Sequence, residues 1–322
     1  MNSIINDIIN MQILVYAIIN LGLVFLISPF YISLIKKVKA FAQGRKGPSL
    51  LQTYFNLWKL LKKEVVYSSN SSWIMSISPL INIICMLVAV LFVPLVFIPA
   101  QQDLFGNVIL FLYILAMARF FMALAGLDAG STFGGMGSSR EMALSSLAEP
   151  VIILIFAALA YVYKTINFFD IFRIISHSSI LAFNPSLMLL SISLFIVLIA
   201  ESARVPVDNP ETHLELTMIH EAMILEQSGK NLALMELSSA IKQMLLMGVL
   251  INIFFPLGIA TTFSFPAIII SFVSFILKSL ILALFIGLFE SYFAKLRLFR
   301  LPNMFAIASF LAILTIILGV LG

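Results

Sequence analysis

Cysteine is all but missing from this chain: Cys85 is the only one in 322 residues. An intramolecular disulfide is therefore impossible, and so is a metal cluster held by this chain's own thiolates. Charge is scarce too. Asp, Glu, Lys and Arg make up 11% of the residues, where a soluble domain carries about 25%. Histidine is limited to three residues. No alternation of apolar and polar residues suggests a β-barrel wall. The glycine-rich stretch after residue 126 is followed by no Gly-Lys-Ser/Thr and preceded by no strand, so a phosphate-binding loop is not expected. The first ten residues, MNSIINDIIN, hold Asp7 and no Lys or Arg, unlike a secretory leader.

What is present is apolar. Hydrophobic residues reach 61%, phenylalanine alone contributes 29 residues, and mean hydropathy is +1.11. Only helices satisfy the backbone in hydrocarbon without a closed barrel. The expectation is an all-α integral membrane protein, one transmembrane domain over 1–322. At about 20 apolar residues per span, eight spans are predicted, roughly 11–35, 77–99, 105–126, 147–163, 181–200, 240–262, 264–288 and 302–321.

The net charge of +4 does not point to nucleic acid, because most basic residues flank spans. The first loop carries Lys36, Lys37, Lys39, Arg45, Lys46, Lys59, Lys62 and Lys63. The loops on the same side add Arg140, Arg204, Lys230, Lys295, Arg297 and Arg300, against only Lys164 and Arg173 opposite. This asymmetry predicts that both termini lie on the non-cytoplasmic side of the inner cell membrane. Five charges fall within or at the ends of spans: Arg119, Glu149, Lys242, Lys278 and Glu290. Arg119 and Lys278 lie deepest and mark intramembrane function or an internal partner, whereas Lys242 and Glu290 can equally snorkel from span ends.

Three segments on the basic side carry pattern. In 44-GRKGPSLLQTYFNLWKLLKKE-64, Leu50, Leu51, Tyr54, Leu57, Trp58 and Leu61 recur at helical spacing, which predicts an amphipathic helix in the headgroup plane. The segment 126-GLDAGSTFGGMGSSREMALSSLAEP-150 reads as a flexible, close-packed connection. It would put Arg140 and Glu141 near span four and Glu149, before Pro150, at that span's helix N-terminus. The third, 201-ESARVPVDNPETHLELTMIHEAMILE-226, holds six of the fifteen acidic residues and two of the three histidines. Pro206 and Pro210 interrupt it, and Asp208 or Asn209 can cap a following helix. On that helix Glu211, Glu215 and Glu226 share a face. Such a row is either a solvated acidic face or a shared, partly protonated carboxylate row. A metal site from His213, His220 and Glu221 would need one ion to bridge two helical turns.

Together these three segments closely resemble the membrane subunit shared by respiratory complex I and the group 4 membrane-bound nickel-iron hydrogenases. The resemblance runs through all eight spans, and VDNPETHLELTMIHEAMILE is similar to the formate hydrogenlyase and hydrogenase-4 branch. It implies a coupling subunit, with no cofactor-bearing active site of its own, that anchors a peripheral arm and links redox chemistry to proton translocation. The nickel-iron centre and iron-sulfur clusters would reside in partners: hydrogenase-like large and small subunits and an iron-sulfur subunit, beside antiporter-like membrane subunits. Carried over by motif, the relay positions are Glu149, Glu201, Arg204, Asp208, Glu211 and Glu215, and Arg45 belongs to the Arg-x-Gly-Pro motif. The surface toward the arm is expected to include Arg45, Lys46, Arg140, Glu141, His213, His220, Glu221 and Glu226. Complex I relatives carry Pro-Phe-Asp where this chain has Pro206-Val207-Asp208, then Asn209-Pro210-Glu211. That wording speaks against quinone; the alternative is the quinone-chamber subunit of an NADH:quinone oxidoreductase.

Overall fold

A computed structural model describes residues 2–99, 106–177, 185–209 and 218–321. Glu211, His213 and Glu215 therefore lie outside the described residues. Eleven α-helices occur among those described: α1 Asn2–Ala42, α2 Gln52–Leu61, α3 Trp73–Phe92, α4 Val108–Asp128, α5 Thr132–Tyr163, α6 Phe168–His177, α7 Pro185–Glu201, α8 His220–Ile224, α9 Gly229–Phe254, α10 Phe265–Tyr292 and α11 Leu301–Leu321. Seven of them are long and apolar enough to cross a membrane, and α7, at 17 residues, supplies a shorter eighth apolar segment. The chain is an all-α, multi-pass membrane protein. The amphipathic helix stands as α2. Its Thr53 hydroxyl is 2.6 Å from that of Ser33, and the Tyr54 hydroxyl donates to the Leu26 carbonyl, so α2 is tied to α1.

Helix starts follow side-chain chemistry. Ser72 accepts the Ile74 amide, while Asp128, from the end of α4, takes the Ser72 and Met75 amides at 2.9 and 3.0 Å. Asn107 caps α4 through Ile109 N and Leu110 N, and Ser131 caps α5 through Gly134 N. Each cap satisfies donors that a helix start leaves without internal partners.

Three expectations need correction. The glycine-rich segment is no flexible connection. Apart from a short turn it is helix, the first half of the 32-residue α5. Its glycines allow close approach instead: a Cβ on Gly137 would sit 2.8 Å from Ala222 Cβ, so α8 rests against α5 there. Glu149 is consequently in the middle of α5, not at a helix N-terminus. Nor does one helix carry Glu226 back to Glu215. Met218 and Ile219 are non-helical, α8 has five residues, and Leu225 and Glu226 form a turn.

Span ends shift as well. α3 stops at Phe92, and residues 93–98 are non-helical and buried, bridged to the chain after α9 by Ile98 N to Ala260 O at 2.9 Å and Ala260 N to Val96 O at 3.1 Å. Asn252 Nδ2 donates to the Pro94 and Leu95 carbonyls and Asn20 Nδ2 to Val93 O. Backbone leaving a helix at membrane depth must find such partners, and here two asparagines provide them. α9 lies at the centre, packed between α1, α3 and α7. α1 meets α10 at Gly287, where a Cβ would lie 2.9 Å from the Val38 side chain.

Enlarging Gly137 to leucine is expected to push α8 off α5, at a cost of about 1–3 kcal/mol for overpacking. Thermal unfolding of the detergent-solubilised protein checks this, and an unchanged midpoint would show that α8 does not depend on the contact.

Candidate functional site: a buried ion-pair cluster

The α7 C-terminus organises the site. Arg204 N donates to Ile199 O at 3.0 Å and Ala203 N to Ala200 O at 3.2 Å, with Ala203 at φ +50°. This is a Schellman close in which alanine occupies the left-handed position that favours glycine, at a cost of about 1–2 kcal/mol. The turn sends neighbouring side chains to different partners, Glu201 toward α4 and Arg204 toward α9 and α10.

Arg119, from the middle of α4, is buried and faces three carboxylates. Its guanidinium is 2.5 Å from Glu201 Oε1, 2.9 Å from Glu149 Oε1 and 4.0 Å from Glu141 Oε1. Glu201 Oε2 in turn takes Lys242 of α9 at 2.6 Å. Arg204 pairs with Glu290 of α10 at 3.3 Å and donates to Gln243 Oε1 at 2.9 Å, while Lys39 of α1 reaches the other Glu290 oxygen at 3.5 Å. Asp208 holds Lys295 at 2.6 Å and accepts the Ile219 and His220 amides, both at 3.1 Å, fixing the start of α8. Among the described residues, five cations thus face five carboxylates. An unmatched charge buried there would cost several kcal/mol.

A polar cavity of about 150 Å³ opens beside the cluster. Lys36, Thr53, Asn56, Glu201, Arg204, Asp208, His220, Glu221, Glu236, Lys242 and Gln243 are on its walls. It has room for on the order of five waters at ~30 Å³ each. Gln243 Nε2 is buried without a protein partner among the described residues and lines this cavity. A smaller void bounded by Glu141, Glu201, Asp208 and His220 shares walls with it. Outside the membrane spans, burial pushes the His220 imidazole below its ordinary value of 6.5 and raises the Glu221 carboxyl above 4.5.

Of the positions singled out in the sequence, Arg119, Glu141, Glu149, Glu201, Arg204 and Asp208 come together in the cluster, and His220 and Glu221 line its cavity. Arg45, Lys46 and Glu226 are exposed, and Arg140 is spent on the Met218 carbonyl at 2.9 Å. Lys242 and Glu290 are buried ion-pair partners, not snorkelling ends. Lys278 stands apart, donating to Phe255 O and Leu257 O. Lys39, Lys295, Glu236 and Gln243 were not singled out as site residues. Lys39 and Lys295 read as ordinary juxtamembrane charge, and only their position beside Glu290 and Asp208 reveals them.

The family model described as NADH dehydrogenase matches residues 14–320. The chain belongs to that family. It is 30% identical over 305 residues to formate hydrogenlyase subunit 4 of Escherichia coli (strain K12), covering 93% of this chain and 98% of that one. Hydrogenase-4 component C of the same strain is 29% identical, covering 88% and 89%. An NADH-quinone oxidoreductase subunit of Wolbachia pipientis wMel is 30% identical, covering 77% of each chain. The fold is shared with a chain of the membrane-bound sulfane sulfur reductase, an archaeal respiratory membrane complex, at a TM-score of 0.79 and 18% identity, covering 95% and 99%.

Two measurements probe this family member's site. Arg119→Met should destabilise the protein by about 3–5 kcal/mol through stranded carboxylates, and pairing it with Glu201→Gln should recover part of the loss. The pH response follows from burial. His220 is held below 6.5, so its folded-state contribution is lost as pH falls through the window under 6.5, where the unfolded chain takes up the proton first. Glu221 works the opposite way, since its contribution falls as pH rises from 4.5 through its raised value. Thermal melts against pH should therefore flatten below 6.5 in His220→Gln and above 4.5 in Glu221→Gln.

Proposed function

We propose that this chain is the membrane coupling subunit of a hydrogenase-4 or formate hydrogenlyase type complex. In this reading it anchors a peripheral arm holding the nickel-iron centre and iron-sulfur clusters, lies beside antiporter-like membrane subunits, and passes protons through its carboxylates. The observation that carries the reading is the row of ion pairs running from half-exposed Glu149 through buried Arg119 and Glu201 to Lys242 beside a polar cavity. Ionisable groups inside a membrane bundle are costly, and ion and proton paths are among the uses that retain them. Glu149, with a side chain 45% exposed on the outer face of α5, is the natural exit toward a neighbouring subunit. The basic loops all leave from the end of the bundle that holds the cluster, which fits a cytoplasmic orientation of that end.

In this mechanism Lys242 is the mobile element. A proton arriving in the cavity protonates Glu201 and frees Lys242 from it. Glu201 then passes that proton to Glu149 around Arg119, which cannot give up its own, and Glu149 releases it at the outer face as Lys242 pairs with Glu201 again. Glu211 and Glu215 continue the same acidic segment in sequence. The alternative, a quinone chamber in an NADH:quinone oxidoreductase, fits less well. The cavity of about 150 Å³ is smaller than the ~300–1,000 Å³ of small-molecule pockets, and its walls are charged. The hydrogenase relatives also align over more of their own length, 98% and 89%, than the 77% of the quinone oxidoreductase relative.

Glu201→Gln and Lys242→Met, made in the assembled complex, should keep the peripheral arm bound and lower turnover-linked proton movement about tenfold. Glu211→Gln and Glu215→Gln should do so more mildly. Normal coupling in all four variants would reduce this subunit to a scaffold.

A further inference from the structure

Lys278 sits near the midpoint of α10, about 20 Å from either end at 1.5 Å per residue. That is too far for a lysine to reach either headgroup layer. Its ammonium instead turns to the end of α9, where it donates to Phe255 O at 2.9 Å and Leu257 O at 2.7 Å. These carbonyls lie just past the last turn of α9, where the helix dipole presents partial negative charge. The two bonds explain why the side chain points as it does. They do not neutralise it.

The contrast with the other cations of the bundle is direct. Arg119, Lys242, Arg204 and Lys39 each meet a carboxylate, and Lys278 meets none among the described residues. An ammonium has three N–H donors, and two are used. The side chain is also partly exposed, on a face made of Phe255, Leu257, Leu277 and Ile281, which are 49%, 68%, 57% and 63% exposed. Against lipid, such a charge at mid-depth costs a few kcal/mol or more, and a buried partner removes that cost.

We infer that this face of α10 is covered by a transmembrane helix of another subunit, which sets an Asp or Glu carboxylate against Lys278. The inference rests on the reading of this chain as part of a multi-subunit membrane complex. It adds where one membrane partner docks and what chemistry it brings. The apolar rim of Phe255, Leu257, Leu277 and Ile281 would pack the partner helix and exclude lipid from the pair. Lys278 would then bridge the end of α9 to the neighbouring subunit, twelve residues along α10 from Glu290 of the cluster.

The test is photo-cross-linking in the complete complex, with p-benzoylphenylalanine at Leu277 and, separately, at Ile281. The expected result is an adduct with one membrane subunit, mapped to a helix with an acidic residue at the depth of Lys278. Lys278→Met should then lower co-purification of that subunit several-fold, as should neutralising the acidic residue. The double variant should be no worse than either single one. Lipid adducts alone at both positions, an adducted helix without an acidic residue, or unchanged retention in Lys278→Met would each overturn the inference. If membrane subunits still co-purify in those cases, the proposed function survives. If no membrane subunit accompanies the wild-type chain, both readings fall.

Discussion

A guanidinium cannot discharge itself, and that constraint at Arg119 governs much of this bundle. A buried carboxylic acid or amine can turn neutral to escape a low dielectric, but arginine stays charged and must be met by anions. Glu201 has to arrive at the end of α7, which demands the left-handed close at Ala203. Glu141 and Glu149 have to arrive from α5, two turns apart, which requires α5 to be helical through its glycine-rich half. Glu201 then needs a second cation, which sets the rotation of α9 so that Lys242 faces inward. The positions of four helices follow from one side chain.

Hydropathy alone located a helix at each of the eight spans but missed some ends by up to fifteen residues, as where α5 begins at Thr132 and not near 147, and helical spacing located α2. The charges were visible too, but their partners were not. Lys242 and Glu290 lie near span ends, where linear sequence cannot separate a side chain reaching outward from one turned into the bundle. The stretch 131–140 was misread because glycine and serine are common in loops of soluble proteins. In a membrane bundle the same residues let helices approach closely, and α8 against Gly137 is the result. A helix running unbroken to Glu226 is interrupted at Met218 and Ile219 for a different reason. The Ile219 and His220 amides go to the Asp208 carboxylate, and a continuous helix would have needed them internally. That competition spans eleven residues of sequence and leaves no local trace.

Under the proposed function, the pairing of opposite charges matters more than any single group. With each described carboxylate beside a cation, a proton passed between neighbours changes which pair is made. The pairing comes from six helices, α1, α4, α5, α7, α9 and α10, with the segments that follow α7 and α10, so it exists only once the bundle has closed.

The central place of α9 has a consequence for how the protein is made. Of the seven long spans it is the least apolar and the most enclosed, with Lys230, Glu236 and Lys242 in its first four turns. Alone in a bilayer it would expose those charges and the Asn231, Gln243 and Asn252 amides to lipid. Its insertion is therefore favoured only alongside helices that already offer partners: α3 with its open carbonyls and α7 with Glu201. Both are synthesised earlier, so the chain emerges from the ribosome in the order that membrane insertion requires.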